Sequence, residues 1–324
     1  MAEIVAERYT GASIKRSEDP RILTGAGRYV DDIKLPGMLH AAFVRSPMAH
    51  AHVLSVDVSA ARALPGVIAV LTGADLEAIT VPGPDALMAL MGWAGPTPEF
   101  TLLATDKVRF VGDPVAIVVA ESRYIAEDGC ELVEVEYDNL PPVVNAAFAL
   151  DPSSPPLFAN LGDNIARPHS RSEFGDVRST FADADRIIDF HIDVHRHQNV
   201  PMEGRGCVAS YDADHGVMTV YAATQSVHVS RIAVAMRLGI EPDQVRVLAG
   251  DIGGSFGLKI GASREELAVA AASRALGRPV MWVEDRGENL TASGQAREES
   301  FEVRAAVGDD GVLHGLDVKM VIDT

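Results

Sequence analysis

The sequence predicts an α+β fold, in which strands and helices follow one another in mixed order. Short apolar or alternating runs, typical of strands, occur throughout its 324 residues. Two longer helical stretches, residues 226–238 and 262–276, are followed by Gly239 and Gly277, and glycine commonly ends a helix. Hydrophobic residues make up 47% of the chain and charged residues 23%, so the chain can bury a core.

Four strands and one helix are predicted in the first part of the chain. The strands span residues 38–44, 51–58, 115–120 and 131–137. In the last of these, valine and tyrosine alternate with glutamate, which predicts one buried and one solvated face. Ser122 is a typical N-cap and Gly129 a typical terminator, so a short helix is predicted between the last two strands.

A proline-rich interruption at residues 81–100 carries Met88, Met91 and Trp93. These side chains either form an apolar contact surface or pack on their own domain. The second interpretation is favoured, because isolated apolar residues are common in loops.

A second proline-rich stretch, Asp-Pro-Ser-Ser-Pro-Pro at 151–156, can continue neither a helix nor a central strand. It predicts a first domain at residues 1–150, a linker at 151–170 and a second domain at 171–324. Besides the two helices, the second domain is predicted to contain strands at 244–249 and 279–283 and a hairpin formed by 301–306 and 312–322.

The composition excludes several classes of protein. The chain has 28 Lys and Arg against 46 Asp and Glu, a net charge of −18, which disfavours nucleic acid as a partner. No apolar run reaches the roughly 20 residues of a membrane span. The N-terminus lacks the basic start of a signal peptide, so a cytoplasmic location is expected. Cys130 and Cys207 are too far apart for a self-contained iron–sulfur or four-cysteine zinc site.

The strongest local signal for a binding site is a glycine-rich loop between the strand at 244–249 and the helix at 262–276. Glycines allow positive φ angles and a close approach of a ligand to backbone N–H groups, and the following helix would add its positive dipole end. Such a loop suits an anionic cofactor, either a phosphate or a metal-bound oxygen; a purely structural turn is the alternative. The loop residues are Gly253, Gly254, Ser255, Phe256 and Gly257.

A second corner between strand and helix lies at Thr224 and Gln225. If the two corners meet at one edge of a sheet, Gln225 would donate to an oxygen of the same ligand; a surface glutamine at a helix start is the alternative. Nearby, Glu203 and Arg205 lie two residues apart in an extended segment. Glu203 could pair with a buried cation, and Arg205 with a carboxylate or phosphate; a structural ion pair is at least as plausible here as a ligand contact.

Four polar residues, His191, Asp193, His195 and His197, occupy alternate positions. On one strand they would share a face and resemble a zinc site. Because four ligands on a single strand rarely converge on one ion, we favour a solvent-facing or interface strand edge and expect no directly ligated metal in this chain.

Eight stretches in a fixed order carry a more specific signal. They lie at residues 16–32, 43–50, 111–116, 136–141, 202–205, 224–225, 250–257 and 277–286. Together they resemble the N-terminal part of the molybdopterin-binding large subunit of the xanthine dehydrogenase / aldehyde oxidase / carbon monoxide dehydrogenase family. The resemblance implies an α/β hammerhead domain followed by the first part of a molybdenum-cofactor-binding α+β domain.

The resemblance also implies roles for individual residues. In such enzymes the glutamine of the Thr-Gln corner, here Gln225, lies near the molybdenum oxygens. The glycine loop places backbone N–H groups beside the apical oxygen, here those of Phe256 and Gly257 with Gly254 nearby. Purine-oxidising members carry a glutamate soon after the loop, where this sequence has Ile260. An apolar Ile260 in the substrate pocket disfavours a purine and leaves an aldehyde, a small heterocycle or carbon monoxide.

Partners follow from the same resemblance. The family's large subunit is more than twice as long as this chain, and its catalytic glutamate, the general base, would lie beyond Thr324. We therefore expect a C-terminal partner half, an FAD subunit and a 2Fe-2S subunit, with molybdopterin in its cytosine dinucleotide form. Water would supply the oxygen. The alternative is a non-catalytic truncated homologue that acts as a binding or assembly protein.

Overall fold

The computed structural model describes residues 10–83, 97–166 and 169–323. Met88, Met91 and Trp93 lie outside the described residues. Strands and helices are mixed along the chain, so the predicted α+β class is confirmed. No helix within these ranges is both long and apolar enough to span a bilayer.

The strands form one large sheet and three small ones in the described part of the chain. Their bounds are β1 Leu39–Arg45, β2 Ala51–Asp57, β3 Val67–Thr72, β4 Lys107–Val108, β5 Pro114–Ala120, β6 Glu134–Asn139, β7 Arg186–Val194, β8 His197–Gln198, β9 Gly206–Asp212, β10 Val217–Ala222, β11 Val245–Leu248, β12 Val280–Val283, β13 Gln295–Ala296, β14 Glu299–Val307 and β15 Leu313–Ile322. The predicted strands of the first part correspond to β1, β2, β5 and β6, whereas β3, β9 and β10 were not predicted.

The large sheet has the order β11-β10-β9-β12-β1-β5-β3. Strand β1 lies at the junction, parallel to β12 on one side and antiparallel to β5 on the other. Strands from before and after the predicted linker therefore hydrogen-bond to one another in a single sheet. The division at residues 151–170 stays a prediction, and any such domains share this sheet.

The helices are α1 Asp19–Leu23, α2 Ser59–Ala63, α3 Gly73–Glu77, α4 Arg123–Glu131, α5 Ala146–Ala149, α6 Val177–Ala182, α7 Val227–Leu238, α8 Arg264–Leu276 and α9 Arg286–Ala292. The predicted ends of α7 and α8 are confirmed, because Gly239 and Gly277 adopt the left-handed conformation at their C-caps. Helix α8 packs on β9 and β12. Its central alanines are at most 1% exposed, so it forms the middle of the main core.

The predicted end of α4 at Gly129 is wrong, because the helix continues to Glu131. Ser122 caps the start as predicted. At Gly129 the missing side chain serves packing: a Cβ there would lie 2.9 Å from Val118 Cγ1 on β5. The glycine allows α4 to approach the large sheet closely, a requirement that a terminator rule does not detect.

The predicted hairpin is confirmed as β14 and β15, which pair antiparallel along their whole length. Strand β7 adds to the other side of β14, giving a three-stranded sheet of order β15-β14-β7. We call this the hairpin sheet. Helix α6 packs against β15 at one end of it.

Candidate functional site

The glycine loop follows β11 and has a backbone that requires glycine at three positions. Gly254 and Gly257 have φ angles of +96° and +94°, a region that side chains with a Cβ rarely adopt. Gly253 is required for a different reason: a Cβ there would clash, at 2.4 Å, with the Cβ of Glu203. Phe256 adopts φ +55° without being glycine and is 72% exposed. This strained, exposed turn is typical of a functional loop.

The N–H groups of the loop differ in whether they donate a hydrogen bond to a protein acceptor. The N–H of Gly253 donates to Glu203 Oε2 at 2.8 Å. Among the described residues, the N–H groups of Gly254, Ser255, Phe256 and Gly257 donate to no protein acceptor. Four consecutive N–H groups without an acceptor in a glycine-rich turn form a surface suited to an anionic oxygen.

The second corner lies directly beside this loop. The backbone N–H of Gln225 donates to the carbonyl of Lys259 at 2.9 Å, and the Thr224 hydroxyl donates to the same carbonyl at 3.1 Å. Gln225 itself is exposed, and Ile260 is 48% exposed. The structure thus brings together Gln225, the glycine loop and Ile260. Their individual roles stay predictions.

A buried ion pair lies beneath the loop, and it joins Glu203, for which a buried cation was one expectation, to Lys259, which was not predicted. Lys259 Nζ lies 3.0 Å from Glu203 Oε2, and the lysine side chain is only 1% exposed. The same carboxylate accepts the N–H of Gly253, while the N–H of Glu203 donates to the Gly253 carbonyl at 3.1 Å. Glu203 therefore fixes the start of the loop through two backbone bonds and one charge. The sequence signal was a lysine two residues after the glycine loop.

The loop is also tied to the N-terminal segment, which we call the strap, residues 21–30. Arg21 makes a two-pronged ion pair with Asp251 at 2.5 and 2.6 Å, and the N–H of Arg28 donates to Asp251 Oδ2 at 2.7 Å. The Asp251 N–H returns a bond to the Arg28 carbonyl at 2.9 Å. Arg21 and the Arg28 N–H lower the pKa of Asp251 to about 2. Two of the family-like stretches, 16–32 and 250–257, thus meet here.

We expect Asp251→Asn to weaken the attachment of the strap. The pKa of the folded carboxyl lies below its ordinary value of 3.8, so its contribution to the free energy of unfolding is present above that value and is lost as pH falls through about 2. The free energies of unfolding of wild type and variant, measured in urea, should therefore differ at pH 7 and differ less at pH 3. An equal difference in the free energy of unfolding at both pH values would contradict this expectation. Asp189→Asn, which removes an exposed partner of Arg304, is the control and should produce a smaller gap at pH 7.

The expectation that the next helix adds its positive end to the loop stays a prediction. Helix α8 begins only at Arg264, seven residues after Gly257. The N–H groups of Ser263 and Glu266 are engaged in a reciprocal capping box. Residues 258–263 separate the loop from the helix.

The four alternate polar residues do not form one row. His191 and Asp193 lie on edge strand β7, whereas His197 lies on β8 in another sheet. Both ring nitrogens of His191 contact carboxylates at 2.8 Å, those of Glu302 and Asp193, and the Glu302 contact most strongly raises the pKa of His191. In the described ranges, no three His, Cys, Asp or Glu side chains converge as in a metal site.

Arg205 belongs to a structural ion network rather than to the loop. Its guanidinium contacts Glu284 at 2.6 Å and Glu265 at 3.1 Å, and Arg45 of β1 contacts Glu265 at 2.9 Å. Burial opposes ionisation of Glu265, but Arg205 and Arg45 lower its pKa to about 2. The network therefore joins α8 to strands from both parts of the chain.

Comparisons with known proteins agree with this geometry. A family profile described as molybdopterin cofactor-binding domain matches residues 157–324, and one described as aldehyde oxidase and xanthine dehydrogenase, a/b hammerhead domain, matches residues 24–141. The carbon monoxide dehydrogenase large chain of Hydrogenophaga pseudoflava is 41% identical over 318 residues. The nicotine 6-hydroxylase large subunit of Paenarthrobacter nicotinovorans is 37% identical over 319 residues.

These matches include nearly all of this chain but a minor part of each relative. They cover 94% and 98% of the chain and 39% and 38% of the two relatives. The solved CO dehydrogenase from Oligotropha carboxidovorans superposes with a TM-score of 0.85 at 39% identity, over 96% of this chain and 39% of that one. The chain therefore belongs to the xanthine dehydrogenase / aldehyde oxidase / carbon monoxide dehydrogenase family and corresponds to an N-terminal part of its molybdopterin-binding large subunit.

Proposed function

We propose that this chain supplies part of the cofactor cage of a molybdenum hydroxylase. The observation that carries the proposal is the run of four acceptor-free N–H groups at residues 254–257, beside an exposed Gln225. These groups fit an oxygen-bearing, negatively charged cofactor, because each can donate to it without losing a protein partner.

The chain's own residues have distinct parts in this proposal. The N–H groups of Phe256 and Gly257 would hold a cofactor oxygen, and the side-chain amide of Gln225 would donate to a second one. The Glu203–Lys259 pair keeps the loop in place before the cofactor arrives, so little reorganisation is needed on binding. When bound, the molybdenum cofactor supplies two-electron oxidation of a substrate carbon, with water as the oxygen source.

The substrate class follows from Ile260, which is half-exposed next to the Gln225 contact. An isoleucine offers no hydrogen bond to a purine edge, so a purine is disfavoured. We propose an aldehyde, a small heterocycle or carbon monoxide. The relatives named above act, by their names, on carbon monoxide and on nicotine.

The complete enzyme would need further polypeptides. We propose that the remainder of the large subunit completes the cage and brings the general base, and that FAD and 2Fe-2S subunits carry the electrons away. The cofactor would be the cytosine dinucleotide form of molybdopterin, and the location cytoplasmic. The alternative is a non-catalytic homologue used in binding or assembly.

Gly257→Ala is expected to remove most of the molybdenum from the enzyme assembled with the remainder. No atom lies within 4 Å of a Cβ at this position, so the added methyl group would point into open space, which the cofactor is proposed to occupy. The control is Gly311→Ala in the hairpin turn, with φ +83° and equally open space. Alanine at position 311 strains the backbone to a similar degree, because φ is positive there too, but it should leave the molybdenum content unchanged. Equal molybdenum content in the two variants, by elemental analysis, would refute the site.

A further inference from the structure

One face of the hairpin sheet has an apolar centre that lies open. Residues alternate between the two faces of a strand, and the paired register of β7, β14 and β15 contains no shift along this stretch. The open face, as we call it, consists of Ile188, Phe190 and Ile192 on β7, Phe301, Val303 and Ala305 on β14, and Leu316, Val318 and Met320 on β15.

The side chains of the two outer strands on this face remain 43–50% exposed. The central Val303 and Ala305 are buried, at 7% and 6%, between their neighbours. Within residues 10–83, 97–166 and 169–323, no layer covers the face enough to bury the outer side chains. A contiguous apolar surface of this kind marks an interaction site.

The opposite face of the same sheet differs in chemistry. It carries charged groups such as Arg304, which pairs with Asp189, and Glu302, which contacts His191. Helix α6 already covers part of it, with Thr180 Cγ2 2.8 Å from where a Cβ of Gly315 would lie. An antiparallel sheet with one solvated face normally buries the other. The open face is therefore the side that lacks its cover.

We infer that the open face binds an apolar layer contributed by the remainder of the large subunit. This inference rests on the proposed function for the existence of that remainder. The chain matches 39% of the carbon monoxide dehydrogenase large chain, so more than half of that relative's length lies outside the match. The hairpin sheet also lies within the matched cofactor-binding region, residues 157–324. The cover that completes this sheet thus belongs to the same subunit.

Charge disfavours a second copy of this chain as the occupant. Each copy carries a net charge of −18, so pairing two of them brings like charges together. The nine residues of the open face carry no charge to offset that repulsion, and the charged Arg186 and Glu299 lie only at its ends. Its composition fits a partner surface made of aliphatic and aromatic side chains, as in the interior of a domain.

A matched pair of variants on one strand tests the inference. Ile192 on the open face and Ile187 on the opposite face are both isoleucines of β7 and both 43% exposed. The remainder of the large subunit is expressed as a tagged polypeptide and used to capture the 324-residue chain, without molybdenum cofactor. Ile192→Asp is expected to weaken capture at least tenfold, and Ile187→Asp to leave it within about twofold. The milder Ile192→Thr keeps the β-branched side chain and should give an intermediate loss.

Folding of each variant is checked by urea unfolding of the chain alone, where both positions are equally half-exposed. Equal capture of the two aspartate variants would overturn the inference. So would a homodimer of the chain that Ile192→Asp breaks and that the remainder does not displace. Because capture is measured without cofactor, it is independent of the molybdenum content on which the proposed function depends.

Discussion

Arg205→Met is expected to destabilise the chain by about 3–5 kcal/mol, since it removes one partner from a buried charge network. The side chains of Glu284 and Glu265, which Arg205 contacts, are 0% and 5% exposed. Without the guanidinium, Glu284 loses the cation that faces it, and Glu265 keeps only Arg45. Desolvated carboxylates are costly without a counter-charge. Urea unfolding at pH 7 measures the loss.

The chain contains a close control for this experiment. Arg304 also pairs with a carboxylate, that of Asp189, and it lies over the ring of Phe181 as Arg205 lies over that of Trp282. The side chains of Arg304 and Asp189, however, are 52% and 69% exposed. Arg304→Met should cost less than about 1 kcal/mol, because water screens an exposed pair. If both arginine variants lost the same stability, burial of the Arg205 network would not be the cause.

The isolated 324-residue chain is expected to show no hydroxylase turnover, and addition of the remainder of the large subunit should restore it. Side chains around the candidate site are open to water: Met202 is 91% exposed, Phe256 72% and Ile260 48%. A site that activates water against a substrate carbon needs an enclosed pocket and a positioned general base. The assay uses an aldehyde and an artificial electron acceptor, with and without the remainder.

Molybdenum content and solubility should rise together with activity when the two polypeptides are combined. Activity without the FAD and 2Fe-2S components should require the artificial acceptor. A purified lone chain that oxidises the aldehyde would contradict the expectation and place the base within the 324 residues.

Much of the fold was predictable because its signals are local. Gly239 and Gly277 end α7 and α8, and the turn before Val312 joins β14 to β15. The order of strands in the large sheet was not predictable in this way. The pairing of β1 with β12 depends on contacts between distant segments, which no window of sequence contains.

In the candidate site, too, local features were predictable and contacts between distant segments were not. The glycine loop and Gln225 were identified from residue type and motif, and the structure places them side by side. The pair Arg21–Asp251 and the identity of Lys259 as the cation that pairs with Glu203 were not predicted, because the members of these pairs are 230 and 56 residues apart. A charged residue next to a glycine loop does not reveal its partner. Only the fold brings the two together.

The position of β1 in the large sheet has a consequence for synthesis on the ribosome. Leu39 pairs with Val280, roughly 240 residues further along the chain. At roughly 5–20 residues per second, about 12–50 s pass between the emergence of the two strands. During that interval one edge of the apolar strand β1 has no neighbouring strand, and such an unpaired edge promotes aggregation of the nascent chain. Slower translation would lengthen the interval, so soluble yield should depend on elongation rate and on chaperones that shield early strands.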